Sequence, residues 1–321
     1  MKAIILGAGE GYISCSKSNS YPTALHSIQN KHSLKYLLEG ISRAGIQDII
    51  FVGGSGIEHV IKEYPGLKFY YNDLWSKTGP LYSLSRCLIE LSDSCVIFYS
   101  DILHSPKTIY EIVQLSDDFV IAEDENWISR FNGRGHALYA DSEKISSNDT
   151  VIHFIGRDIP PHLPITGQFA GILKISSSGA DILRELLMSL VKKNRVSLNG
   201  TTTLYSGGIP DLIQELLLKG QQIRSFRIDE RWAELDSPQD IAQFLFGTKA
   251  ETLERLQTKI KKSHILNQYR FTRSEWNESK QEILESCKII FGGKPVIVRS
   301  SANVNAGAKT KLSAIFHAAL L

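Results

Sequence analysis

Asp101 closes the apolar run Val96-Ile97-Phe98-Tyr99 in the triplet Tyr99-Ser100-Asp101, and Asp236 stands in the acidic stretch Trp232-Ala233-Glu234-Leu235-Asp236-Ser237-Pro238-Gln239-Asp240. Magnesium is commonly held by one or two carboxylates completed by phosphate oxygens, so this pair suits a metal-phosphate complex. Both residues also fit a capping role: Asp is favoured in turns, and Asp236 or Ser237 ahead of Pro238 stands at a helix start. A third feature is the loop Gly7-Ala8-Gly9-Glu10-Gly11. Glycines there let backbone N–H groups approach phosphate oxygens without a Cβ in the way. The spacing is neither the dinucleotide G-x-G-x-x-G nor a Walker loop with its lysine, and a purely structural turn is the other reading.

These residues need elements to carry them. Ala3-Ile4-Ile5-Leu6 reads as a buried strand running into Gly7, and Ser33 to Ala44 spaces Leu34, Leu37, Leu38 and Ile41 as one face of a helix. The alternation continues with strand 48–54, helix 57–64, strand 67–71, helix 81–91, strand 95–99, helix 108–115 and strand 119–122. Near-continuous apolar strands between amphipathic helices predict an α/β three-layer sandwich with a mostly parallel sheet, and ligands at the carboxyl ends of the strands. Between 130 and 175 the texture changes to β runs with Gly and Pro, which predicts an antiparallel insertion roofing the site. Helices are expected at 180–191 and 210–218, and a late strand at 223–228. After Phe246-Gly247 charged helices (251–262, 274–290) and a strand at 294–299 follow, so residues 1–246 read as one domain and 247–321 as a small helical and strand segment.

Composition narrows the partners. The chain has 321 residues, 42% of them hydrophobic, with 36 basic and 34 acidic side chains for a formal charge of +2. Such a balance implies no extended surface for nucleic acid and points to small molecules or proteins. Four cysteines (Cys15, Cys87, Cys95, Cys287) form no CxxC pair, which argues against a disulfide framework or a structural zinc site. No apolar run reaches the length of a membrane span, and no cleavable leader is visible, so a cytoplasmic protein is expected. His153 and His162 lack zinc-ligand spacing, and neither a Gly-x-Ser-x-Gly elbow nor a His-Glu-x-x-His helix occurs.

Residues 1–246 resemble the nucleotidyltransferase family of sugar-phosphate and phosphocholine cytidylyltransferases, including those of phosphonate and modified-phosphate pathways. The resemblance lies in Met1 to Gly11, in Pro22-Thr23-Ala24-Leu25, in Tyr71-Asn72-Asp73 through Thr78 to Leu84, and in Trp232 to Asp240. Asp124 to Trp127 and Gly167 to Gly171 fall between them in the expected order. The resemblance implies that Leu6, Gly7, Ala8, Gly9, Glu10 and Gly11 wrap CTP with Ser83 and Ser100, that Asp101 and Asp236 hold Mg2+, and that Asp124, Arg134 and Gln168 face the phosphate or phosphonate acceptor. His104 and His136 are further phosphate contacts on this view, with ordinary loop positions as the other reading. The family pattern has an Arg after the glycine loop and a Lys after the proline, where this chain has Ile13 and Thr23. Lys17 or Lys31 could stand in. The chain therefore reads either as a cytidylyltransferase or as a nucleotide-binding module without turnover.

Pro295 to Ala302 resembles the first ATP-binding strand of phosphoenolpyruvate synthase and pyruvate phosphate dikinase enzymes, with Arg299 as the nucleotide contact. That resemblance implies the front of a longer protein with a kinase domain, or a remnant of one. The other reading is an ordinary strand packed on a neighbour.

Overall fold

The computed structural model describes residues 1–9, 22–128, 141–193, 198, 202–228, 232–235, 244, 249–257, 259–271, 273–300 and 316–320. In chain order the first part contains β1 (Lys2–Gly7), a hairpin of β2 (Ser27–Ile28) and β3 (Lys31–His32), α1 (Ser33–Arg43), β4 (Asp48–Gly53), α2 (Ile57–Glu63), β5 (Lys68–Tyr71), α3 (Pro80–Ser85), β6 (Cys95–Tyr99), β7 (Ile102–His104), α4 (Pro106–Val113) and β8 (Phe119–Asp124). It continues through β9 (Lys144–Asn148), β10 (Val151–Gly156), β11 (Gly167–Ile175), α5 (Ser177–Lys193), α6 (Ile209–Leu218), β12 (Arg224–Arg227) and β13 (Trp232–Glu234). The last elements are α7 (Lys249–Gln257), β14 (Gln268–Phe271), α8 (Arg273–Phe291), β15 (Val296–Ser300) and β16 (Phe316–Leu320).

Nine strands form one sheet in the order β5-β4-β1-β6-β11-β8-β12-β10-β9. β5, β4, β1 and β6 run parallel, and β8 is parallel to β12. The apolar residues of β1 alternate between two cores: Ile4 and Leu6 pack with Leu81, Leu84, Leu173 and Leu212 on one face, and Ala3 and Ile5 with Leu34, Leu37, Ile41 and Ile109 on the other. Helices thus cover both faces, as a buried parallel sheet requires. Starts of helices follow local chemistry: Pro stands in the first turn of α3, α4 and α6, and the Ser105 hydroxyl accepts the Thr108 amide at 3.2 Å.

Two expectations need correction. The stretch 167–175 is no roof: β11 lies in the middle of the sheet, antiparallel to both β6 and β8, with all nine residues buried. Its continuous apolar run is that of a strand covered on both faces. The expected helix 81–91 stops at Ser85, and Leu88–Glu90 forms a 3-10 turn instead. The turn carries Glu90 inward, 2% exposed, to accept bonds from Lys2 (2.8 Å), Tyr70 (2.5 Å) and Lys68.

The chain divides into two compact units, Met1–Trp127 with Ala137–Pro238, and Ile128–His136 with Gln239–Leu321. In the second, β14, β16 and β15 make an antiparallel sheet in that order, and Phe271 stacks on Trp276 at 5.4 Å. Phe271, Ile283 and Phe291 are its buried apolar residues among those described. No described helix is long and apolar enough to cross a membrane.

Candidate active site

The parallel strands β1, β4 and β6 deliver their carboxyl ends to one rim of the first unit. There the Ser100 amide donates to the Leu6 carbonyl at 3.0 Å, so the first chemistry-bearing loop and the Ser100-Asp101 turn are fastened side by side. The glycines of the rim do different work. A Cβ on Gly7 would lie 2.5 Å from the Phe51 ring and 3.0 Å from the Ser100 hydroxyl, so Gly7 is a packing glycine. A Cβ on Gly54, at the end of β4, would lie 2.4 Å from the Ala8 carbonyl oxygen and 2.5 Å from the Trp75 side chain. Gly9 is exposed and has nothing within 4 Å of its Cβ direction, so here the missing side chain leaves open space. Leu6 and Ala8 are buried, while Glu10 and Gly11 fall outside the described residues.

Asn72 organises the next wall. Fully buried, it takes the Gly53 carbonyl with its amide at 2.9 Å, accepts Leu74 N–H at 3.0 Å, and donates to Thr78 and to the Ser83 hydroxyl at 3.0 Å each. Ser83 is 3% exposed and bonded to Asn72, so its hydroxyl serves this hub.

The carboxylates gather where β6 ends. β13 pairs antiparallel with β7, Glu234 opposite Ile102, and the Leu235 amide donates to the Asp101 carbonyl at 2.8 Å. Asp236, the next residue in the chain, falls outside the described set. Three more acids share this region. Burial of the Tyr99 hydroxyl, and then the charges of Glu143, Asp101 and Glu234, hold it well above its ordinary pKa. Burial pushes the Glu143 carboxyl up to about 8; Arg157 opposes this, and Asp211 and Asp101 add to it. Asp211 holds the Gly208 amide at 2.8 Å at the start of α6. Among the described residues no three potential ligands are grouped to hold a metal by themselves. A carboxylate rim of hard oxygen donors fits a magnesium that takes its remaining ligands from phosphate.

Other candidates are placed differently. The Asp124 carboxylate, 4% exposed, is committed to the protein: Oδ1 accepts the Asn126 amide and Oδ2 the Trp232 indole N–H, both at 2.9 Å. His104 is buried and stacked on Trp232, ring centroids 6.0 Å apart at 8°, instead of standing in a loop. Gln168 is opposite Asp124 in the β11–β8 ladder. Arg134 and His136 lie outside the described residues, and Arg299 is on β15 of the second unit. His153 and His162 are exposed in the first unit.

The two positions where basic residues were expected are informative. Thr23 is 6% exposed and its carbonyl accepts the Ser33 hydroxyl at 2.8 Å; Ile13 and Lys17 lie outside the described residues. Lys31 is engaged on its own surface by Glu39 and stands 3.9 Å over the Tyr36 ring. Glu143, Asn72 and Trp75 were not among the expected site residues. Only Asn72 left a trace, in the polar Tyr71-Asn72-Asp73 directly after a strand.

No protein-family model matches the chain. It is 23% identical over 251 residues to the CTP:phosphoglutamine cytidylyltransferase of Campylobacter jejuni subsp. jejuni serotype O:2, covering 75% of this chain and 98% of that protein. It is 35% identical over 99 residues to the choline-phosphate cytidylyltransferase of Streptococcus pneumoniae, covering 30% of this chain and 43% of that protein. The inositol-1-phosphate CTP transferase of T. maritima superposes with a TM-score of 0.57 at 18% identity, over 82% of this chain and 97% of that structure. The α/β fold is therefore that of nucleotidyltransferases, and in sequence the chain resembles the cytidylyltransferases among them.

Proposed function

We propose that the chain is a magnesium-dependent nucleotidyltransferase that transfers CMP from CTP to a small phosphate or phosphonate acceptor, in the cytoplasm, within phosphonate or surface-polysaccharide modification. The observation that carries the reading is the hydrogen bond from the Leu235 amide to the Asp101 carbonyl, because it joins the chain just before Asp236 to the Ser100-Asp101 turn that is fastened to Leu6 ahead of the glycine loop. Asp101 and Asp236 are the residues to hold magnesium, which when bound supplies charge neutralisation to the phosphates. In the transfer, an acceptor oxygen forms a bond to the α-phosphorus of CTP while the bond to the bridging oxygen breaks, and pyrophosphate leaves with that electron pair. The protein's share is to bind and align: backbone N–H groups after Gly7 meet phosphate, and the Asn72 hub holds the wall in place.

A second reading is a nucleotide-binding module without turnover that regulates or scaffolds a phosphoenolpyruvate-synthase-like kinase. The burial of Thr23 and the engagement of Lys31 with Glu39 and Tyr36 favour it, since neither supplies a cation to the rim. The kinase part of this reading rests on the C-terminal resemblance through Arg299, which none of the comparisons supports. Pyrophosphate release with CTP, magnesium and a panel of phosphate and phosphonate acceptors decides between the two. Under the first reading Asp101→Asn lowers turnover at least about a hundredfold. Magnesium-dependent CTP binding that Asp101→Asn leaves unchanged would sink the site under both.

A further inference from the structure

Gln168 carries an unmet demand. It is 5% exposed, and its side-chain carbonyl oxygen has no hydrogen-bond partner among the described residues. A buried acceptor without a donor is costly, and native proteins keep few of them. Its cross-strand neighbours cannot relieve it as they stand. Asp124, opposite in β8, is itself an acceptor and already takes the Trp232 indole N–H. Lys144, opposite in β9, gives its ammonium to the carbonyls of Ser142 and Arg157 at 3.2 and 2.8 Å. Position matters too. Ile172 of β11 pairs with Phe98 of β6, and Gln168 is four residues further along a strand that runs past the end of β6. A bulge lies between, since Phe169 to Leu173 opposes only Glu123 to Ile121 of β8, so Gln168 stands about two strand residues, roughly 7 Å, beyond Phe98, level with Ser100 beside Asp101.

We infer that Gln168 reads the end of the acceptor remote from its phosphate, through an N–H or O–H that the acceptor donates to the Gln168 carbonyl oxygen. This rests on the transferase reading above. Gln168 is then a specificity-determining residue, and the acceptor class is a small phosphorylated molecule whose tail bears a hydrogen-bond donor, such as an amide or a protonated amine. A fully alkylated ammonium has no proton to give and leaves the oxygen unpaired, the situation in which a polar site discriminates most strongly.

Phosphoethanolamine and phosphocholine form the matched pair, with the same phosphate, the same two-carbon linker and the same positive charge. The acids near Asp101 attract both alike. The full-length protein with magnesium and CTP is titrated calorimetrically with each, and pyrophosphate release is followed in parallel. Wild type is expected to bind phosphoethanolamine about tenfold or more tightly, and Gln168→Leu to bring the two within about twofold. Equal affinity, or a preference for phosphocholine, in wild type overturns the inference, as does a preference that survives in a folded Gln168→Leu. The wild-type comparison decides even where the variant fails to fold. A clear preference without pyrophosphate release leaves the inference standing and removes the transferase reading instead.

Discussion

At the scale of single residues, the rim separates glycines that the fold needs from one that it does not. Gly54 meets the Ala8 carbonyl oxygen and Trp75 within 2.5 Å of where a Cβ would stand, and a backbone oxygen cannot rotate away. Gly54→Ala is expected to destabilise the protein by about 2 kcal/mol, read as a lowered urea midpoint with an unchanged slope. Gly9→Ala places its methyl in open space, so the midpoint is expected to stay put. If Gly9 lies against phosphate, the same methyl intrudes on the ligand, and CTP affinity measured by calorimetry falls about tenfold or more. A Gly9→Ala variant with wild-type affinity would show that the open space is not where the phosphates bind. Glycine in a sequence marks both situations identically. Only the partners of Gly7 and Gly54, Phe51 and Trp75, tell them from Gly9.

At the scale of elements, the end of the expected helix 81–91 shows how a local pattern yields to a distant charge. Leu81, Leu84, Leu88 and Leu91 keep helical spacing, yet the chain turns after Ser85 and brings Glu90 to Lys2 of β1 and to Lys68 and Tyr70 of β5. Burial alone raises a carboxyl pKa; here the bonds from Lys2, Lys68 and Tyr70 outweigh it and hold Glu90 at about 2. A depressed folded pKa adds stability above the unfolded value, near 4.3, and that stability is lost as pH falls from there toward 2. Glu90→Gln is therefore expected to cost roughly 2 kcal/mol at pH 7, allowing for the solvent around half-exposed Lys68, and distinctly less at pH 3. Urea melts at the two pH values check this, and a cost that stays constant from pH 7 to pH 3 refutes it. The strand and helix alternation through β8 was legible because apolar period is a local property. The central place of β11 was not, since a strand buried on both faces has the same apolar run whichever way it points. Nor was the clamp on Asp124, whose partner Trp232 is 108 residues away in the chain. Glu143 gave no signal, lying between Ser142 and Lys144 in an unremarkable polar stretch.

At the scale of the whole molecule, the formal charge of +2 and the acids around Tyr99 set how a polyanion can be held. A nearly neutral chain projects little long-range field, so charge steering contributes little to association with CTP. Among the described residues close to the rim the charges are mostly acidic: Asp101, Asp211 and Glu234 are neighbours of the same site, the raised Glu143 is largely protonated at neutral pH, and Arg157, the cation acting on Glu143, is exposed and near Asp141. A triphosphate brought to these carboxylates alone would be repelled. Binding of CTP is therefore expected to depend on magnesium far more than on ionic strength. Chelation with EDTA should weaken it by about a hundredfold or more, whereas raising salt from 50 to 200 mM in the presence of magnesium should change affinity by less than about threefold. Calorimetric titration under the three conditions separates the cases. Affinity that survives EDTA but falls steeply with salt would mean that lysines and arginines, not a carboxylate-bound metal, hold the phosphates. Candidates would then be sought among the basic residues of 10–21 and 129–140, such as Lys17 and Arg134.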